Sequence, residues 1–103
     1  MLWKLGAIVG AALLFAVSSA NAATINVTIK GHKFIPAAVT AHIGDKIVWT
    51  NEDAGAHTST ATDGAWDLSV PAGKNANLTV QKAGAFDYFC KIHPSMKGKV
   101  TVE

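Results

Sequence analysis

The stretch GAFDYFCKIHPSMKGKVTVE, residues 84–103, joins two predicted strands through one short loop. Phe86, Tyr88 and Cys90 are spaced two apart after the turn signal at the start of this stretch, which predicts a strand with one buried face. KGKVTVE, residues 97–103, predicts a last short strand. The loop therefore begins at an inward-facing cysteine and lies between two strands.

That loop carries three donors for soft or borderline metals, namely the thiol of Cys90, the imidazole of His93 and the thioether of Met96. Strand parity points Cys90 inward, and a tight turn stiffened by Pro94 brings the other two donors around the same point. Gly98 permits the chain to re-enter a strand. The Cys-x2-His-x2-Met spacing therefore predicts three ligands of one site.

A fourth ligand must come from elsewhere in the chain, which has four histidines. His57 follows the alternating stretch KIVWTN (46–51) in a loop of small residues, where an imidazole can point toward the end of a β-sandwich. His42 alternates with apolar residues on the solvent face of a strand, and His32 lies in a glycine-containing turn. We expect those two to be ordinary surface residues, and His57 to be the fourth ligand.

From residue 23 onward the chain alternates with period two. TINVTIK (24–30) has this pattern, and AVTAHIGDKIVWTN (38–51) has it on both sides of Gly44-Asp45, which predicts a hairpin-like reversal between two adjacent strands. No long segment of this part has helical spacing. Several short strands with regular turn signals predict an all-β sandwich of two antiparallel sheets, folded as a single domain.

The first 22 residues have the composition of a secretory signal. Lys4 is followed by an apolar run over Leu5–Val17 and by small residues at 20–22 that fit a cleavage site. An uncleaved membrane anchor is the alternative, but a spanning helix needs roughly 20 strongly apolar residues and this run gives way early to polar ones. We therefore expect a signal peptide at 1–22, one domain at 23–103, a periplasmic location and no stable membrane insertion after cleavage.

Charge and cysteine content limit the classes of partner and the roles of the cysteine that the sequence allows. The formal net charge is +2 and all nine basic residues are lysines. Nucleic-acid binders usually have a basic stripe and use arginine for bidentate contacts, so we expect no nucleic-acid partner. The single cysteine of an exported chain is buried and inert, paired with another chain or bound to a metal.

Thiolate, two imidazoles and a weak thioether are the ligands that suit blue copper. Sulfur favours Cu(I) and nitrogen favours Cu(II), so an intermediate site serves both states with little ligand movement. Zinc fits less well, because a structural site usually has more than one cysteine and a catalytic site needs an open position. A nucleophilic cysteine would need an oriented base and an oxyanion arrangement, and neither is evident. We expect one type 1 copper ion bound by His57, Cys90, His93 and Met96.

The stretch GHKFIPAAVTAHIGDKIVWTNEDAGAH (31–57), taken with residues 84–103, resembles the cupredoxins, and within them the amicyanin and plastocyanin branch of blue copper proteins. The resemblance covers nearly all of residues 23–103, and its most specific part is the short Cys-x2-His-x2-Met loop. It implies a Greek-key β-sandwich with type 1 copper at one end. The chain departs from the family pattern at Thr58, where asparagine is common, at Ser95, where an amicyanin has a bulky aromatic residue, and at Gly55-Ala56, where it has larger apolar groups.

Carried over to this chain, the resemblance implies that Cys90 and both histidines are equatorial ligands and that Met96 is the axial one. His93 would lie nearest the surface, and electrons would pass through its edge. The surface around His93 and Pro94 would contact redox proteins, a dehydrogenase or a c-type cytochrome.

We therefore expect a monomeric one-electron carrier and no enzyme. The alternative is a periplasmic copper-binding or delivery protein, although such proteins tend to have methionine-rich open sites and Met96 is the only methionine beyond the initiator. Copper enzymes need additional copper sites and domains, for which this chain is too short.

Overall fold

The computed structural model describes residues 21–103, which form nine β-strands. They are β1 (Thr24–Ile29), β2 (Phe34–Ile35), β3 (Ala38–Ala41), β4 (Lys46–Asn51), β5 (His57–Ala61), β6 (Asp67–Val70), β7 (Asn75–Thr79), β8 (Gly84–Phe89) and β9 (Lys97–Val102). The described residues contain no helix, and hence none suited to crossing a membrane. The predicted all-β class is confirmed, whereas the predicted signal peptide lies outside the described residues except for its last two positions.

Two sheets build the fold, with strand orders β2-β1-β4-β7 and β3-β9-β8-β5-β6. The prediction of two sheets is confirmed, but the prediction that both are antiparallel is wrong. Strand β1 runs parallel to β4, and β3 runs parallel to β9. Both sheets are mixed because the first and last described strands each pair in parallel with one strand from a distant part of the chain and antiparallel with their neighbour in sequence.

The predicted hairpin at Gly44-Asp45 is also wrong, since the strands before and after this turn belong to different sheets. The turn itself is present, and the Asp45 N–H donates to the carbonyl of His42 at 2.9 Å. The buried Asp45 carboxylate accepts the backbone N–H groups of Ala23 and His42, each at 2.8 Å, while the Gly44 N–H donates to Val80. These bonds fix the turn, and beyond it β4 pairs with β1 and β7 instead of β3.

The core lies between the sheets, where the period-two alternation points the apolar side chains. Trp49 and Tyr88 are at its centre, and the Trp49 indole N–H donates to the Tyr88 hydroxyl at 3.2 Å. Gly98 lies opposite Tyr88 on β9, and a Cβ atom at this position would overlap the tyrosine ring. Gly98 is thus required for space, rather than for the backbone freedom that the sequence suggested.

Candidate metal centre

Strand pairing brings His57 and Cys90 to the same end of the sandwich. Strands β5 and β8 are antiparallel, with Thr60 opposite Phe89 and Ala61 opposite Tyr88. His57 begins β5 and Cys90 directly follows β8, so both residues lie at the edge where this pair of strands ends. Both side chains are buried, with exposed fractions of 1% and 0%.

Hydrogen bonds within the loop after β8 fold it back on itself. The Cys90 N–H donates to the carbonyl of Met96 at 3.0 Å, and the Met96 N–H donates to the carbonyl of His93 at 2.8 Å. Met96 is buried with 3% exposure, whereas His93 is partly exposed. The loop therefore brings its three donor residues to one end of the fold, with His93 on the solvent side.

Three donor atoms form a compact triangle at this end. Sγ of Cys90 lies 3.7 Å from Nδ1 of His57 and 3.9 Å from Nδ1 of His93, and the two Nδ1 atoms are 3.2 Å apart. The circle through these three atoms has a radius of roughly 2.1 Å. This radius is close to the roughly 2.0–2.3 Å bonds that nitrogen and sulfur ligands make to a divalent transition-metal ion such as zinc. The triangle therefore has the dimensions needed to hold one ion in its plane.

Asp53 determines which nitrogen of His57 faces this triangle. Its carboxylate lies 2.9 Å from Nε2 of His57 and also accepts the backbone N–H groups of Gly31 and His32, at 2.8 and 3.0 Å. The bonds from His32 and Gly31, followed by the bond from His57, lower the pKa of Asp53 to about 2. A carboxylate only accepts hydrogen bonds, so His57 carries its proton on Nε2 and leaves the Nδ1 lone pair free for a metal.

His93 is also suited to act as a ligand. Partial burial, followed by the neighbouring imidazoles of His32 and His57, lowers the pKa of His93. A lower pKa favours the neutral ring, which is the form that binds metals.

The sulfur of Cys90 accepts the backbone N–H of Thr58 at 3.3 Å. The Thr58 hydroxyl in turn accepts the N–H of Lys91 at 2.9 Å and contacts the Thr60 hydroxyl at the same distance. Thr58, which departs from the family pattern, therefore ties β5 to the loop through its side chain. The position of Cys90 is held from both the strand and the loop.

His32 lies beside the site, although sequence reasoning placed it among the ordinary surface residues. It lies in the predicted turn and is exposed, but its ring centroid is 4.1 Å from that of His93 and 5.2 Å from that of His57. One nitrogen from each of these three rings lies within 4.8 Å of the others. The prediction for His42 agrees with the structure, since its side chain is 73% exposed.

The donor set fits a single copper ion. A buried cysteine sulfur with two imidazoles, and a buried methionine in the same loop, combines the soft and nitrogen donors that suit both oxidation states of copper. This arrangement is that of a type 1 copper site.

Comparison with known proteins agrees with a copper-binding site at this end of the fold. Residues 5–102 match the family described as Cupredoxin-like domain. The chain is 33% identical over 103 residues to amicyanin-alpha of Methylorubrum extorquens, covering 94% of this chain and 87% of the relative. It is 31% identical over 105 residues to the chloroplastic plastocyanin of Tetradesmus obliquus, covering 82% and 70%. A solved structure of an oxidised amicyanin mutant superposes with a TM-score of 0.69 at 32% identity, covering 77% of this chain and 81% of the other.

Proposed function

Because this chain belongs to the cupredoxin family, on its amicyanin and plastocyanin branch, we propose that it is a periplasmic one-electron carrier. Its ligands are His57, Cys90, His93 and Met96. The observation that carries this assignment is the triangle of Sγ and two Nδ1 atoms, with sides of 3.7, 3.9 and 3.2 Å. The bound copper ion supplies the redox chemistry by exchanging one electron between Cu(II) and Cu(I).

The protein holds the ligands in a fixed arrangement. The two hydrogen bonds inside the loop fix the backbone around Cys90 and Met96, and the Thr58 N–H donates to the sulfur. Asp53 fixes the ring of His57. All of these hydrogen bonds join protein groups and none depends on the metal. The ligand atoms are therefore held in the same positions whichever oxidation state copper has. Small ligand movement means a low reorganisation barrier and fast electron exchange.

Electrons enter and leave through His93, the only one of the proposed ligands that is partly exposed in the described residues. Pro94 is exposed beside it, and the side chain of Ile92 is 53% exposed. A partly exposed imidazole with exposed apolar residues beside it in the sequence suits transient contact with a redox partner, because electron-transfer interfaces typically bury less than about 1,200 Å². We assign the partners to a dehydrogenase or a c-type cytochrome, and we expect the carrier to be monomeric.

Copper delivery is the second candidate. The exposed His32 beside the site favours it, because an accessible imidazole helps a metal to exchange. The buried sulfur of Cys90 favours the electron carrier, because a ligand shielded from solvent would retain the metal. Transfer of copper to an excess of chelator distinguishes the two: slow loss supports the carrier and rapid loss supports delivery.

Addition of one equivalent of Cu(II) to the purified protein tests the proposal. We expect intense absorption at about 600 nm, since a copper–thiolate bond in this geometry defines a blue site. The band should bleach on addition of a reductant and return on oxidation. The C90A variant should not develop this intense band under the same conditions. Wild-type protein that binds copper without developing the band would refute the assignment.

A further inference from the structure

The turn between β1 and β2 is held against the metal centre by Asp53. Lys30 and Lys33 pair through two backbone hydrogen bonds, at 3.1 and 3.2 Å, and enclose Gly31 and His32 at the tip. Both tip residues have positive φ, 63° and 59°, and both donate their N–H groups to the Asp53 carboxylate. The same carboxylate bonds to the ring of His57. The tip of the turn and the buried ligand are therefore fixed to one common acceptor.

His32 is the only non-glycine residue of the described chain with a positive φ. Residues with a Cβ atom adopt this conformation uncommonly, and such positions tend to occur at functional sites. The conformation places the His32 ring over that of His93, with an interplanar angle of 36°. The turn thus places a third imidazole, which is itself exposed, beside the metal centre.

Three imidazoles then form a gradient of exposure from the surface to the core. His32 is exposed, His93 is partly exposed and His57 is buried, with one nitrogen from each ring within 4.8 Å of the others. Three nitrogens at such spacing can bind one divalent copper ion after small side-chain rotations, since imidazole suits Cu(II) well. Cys90 has 0% exposure, so an ion from solvent meets the imidazoles before the sulfur.

We propose that His32, His93 and His57 form a three-imidazole copper site that receives the incoming ion before it reaches the thiolate of Cys90. His32 serves loading and is released when the ion moves inward to the four ligands of the carrier. The inference rests on the proposed copper centre. It adds to that centre an exchangeable fifth donor outside the Cys-x2-His-x2-Met loop.

Removal of the thiolate isolates the proposed loading site. The C90A protein should still bind Cu(II), without the intense blue band, and its electron paramagnetic resonance spectrum should show three coupled nitrogens. The H32A/C90A protein should show two, with copper affinity lower by about 10- to 100-fold, at least the loss typical of a supporting partner of a metal ligand. H42A/C90A is the matched control, because His42 is an exposed histidine outside the cluster. Equal affinities of C90A and H32A/C90A would overturn the site.

Loading is measured on the wild-type background by stopped-flow absorption at about 600 nm. H32A should develop the blue band about tenfold or more slowly than wild type and H42A, and reach the same final spectrum. Equal rates for H32A and wild type would overturn the loading role. Failure of the electron-carrier proposal is recognised separately, because wild-type protein would then bind copper without the blue band. Far-ultraviolet circular dichroism of each copper-free variant verifies that it is folded.

Discussion

The carboxylate of Asp53 lies 2.9 Å from Nε2 of His57 and thereby orients Nδ1 of the same ring toward the sulfur of Cys90. This carboxylate also holds the tip of the β1–β2 turn through two backbone N–H groups. One acidic side chain therefore positions both a buried ligand and the exposed imidazole above the site.

Replacement of this acid tests its positioning role. D53N should lower copper affinity by about 10- to 100-fold, as for other groups that orient metal-binding histidines. It should also raise the reduction potential, because loss of a nearby negative charge disfavours Cu(II) relative to Cu(I). Affinity is measured by chelator competition and the potential by voltammetry. D87N is the control, since Asp87 is exposed on β8 and loses the same charge; equal effects of the two substitutions would contradict the role.

Met96→Gln tests the assignment of the axial ligand. The variant should retain copper and have a lower reduction potential, because an oxygen donor stabilises Cu(II) more than a thioether does. A shift of about 59 mV corresponds to a tenfold change in the preference between oxidation states, and we expect a shift of at least that size. Voltammetry of the copper-loaded protein measures it. An unchanged potential would mean that Met96 does not contact the metal.

Gly98→Ala tests the packing of Tyr88 against β9. The added Cβ atom would overlap the tyrosine ring at the centre of the core, so the free energy of unfolding should fall by about 1–3 kcal/mol. Gly55→Ala is the matched control, because a Cβ atom at this position has no neighbour within 4 Å and φ is not positive. That control should change stability by less than about 0.5 kcal/mol. Urea unfolding of the copper-free proteins measures both, and similar values for the two would contradict the proposed overlap.

Ionisation of the buried Tyr88 should lower the free energy of unfolding at high pH. Burial raises its pKa to about 12, because the charged phenolate is disfavoured in the core. In the unfolded chain the phenol of Tyr88 ionises near pH 10. The buried neutral phenol therefore makes its full contribution to the free energy of unfolding below that pH, and this contribution is lost as the pH rises toward 12. At pH 11 the loss should be about 1.4 kcal/mol, equivalent to one unit of pKa.

Y88F lacks this ionisation and serves as the comparison. At pH 8 it should be less stable than wild type by about 1 kcal/mol, because the Trp49 indole N–H loses its acceptor. Between pH 8 and pH 11, wild type should lose more stability than Y88F when both copper-free proteins are unfolded in urea. A constant difference between the two proteins would show that the Tyr88 phenol does not titrate as expected.

Local sequence was sufficient to predict the metal-binding loop. Cys90, His93 and Met96 lie within seven residues, and strand parity correctly pointed Cys90 inward. His57 was chosen because it follows an alternating strand in what was predicted to be a loop of small residues, whereas the structure places it at the start of β5. The structure brings these residues to one end of the fold, with the distances between the thiol and both imidazoles suited to one ion.

Long-range contacts explain what the sequence did not predict. The position of His32 depends on Asp53, which is 21 residues away in the chain, and a turn motif alone does not reveal that partner. Alternation shows which face of a strand is buried but not which strand lies beside it. For that reason the turn at Gly44-Asp45 was predicted correctly while the pairing of its two strands was wrong.

Strands β1 and β9 both occupy interior positions in their sheets, although they are the first and last strands of the described chain. Neither sheet is complete until segments far apart in sequence have met. The chain must therefore lose much conformational entropy before it reaches the folding transition state, and we expect folding on the millisecond-to-second scale of high-contact-order proteins. A polypeptide cut before residue 97 would leave β3 and β8 without the strand that joins them. Such a fragment exposes unpaired strand edges and would be prone to aggregate.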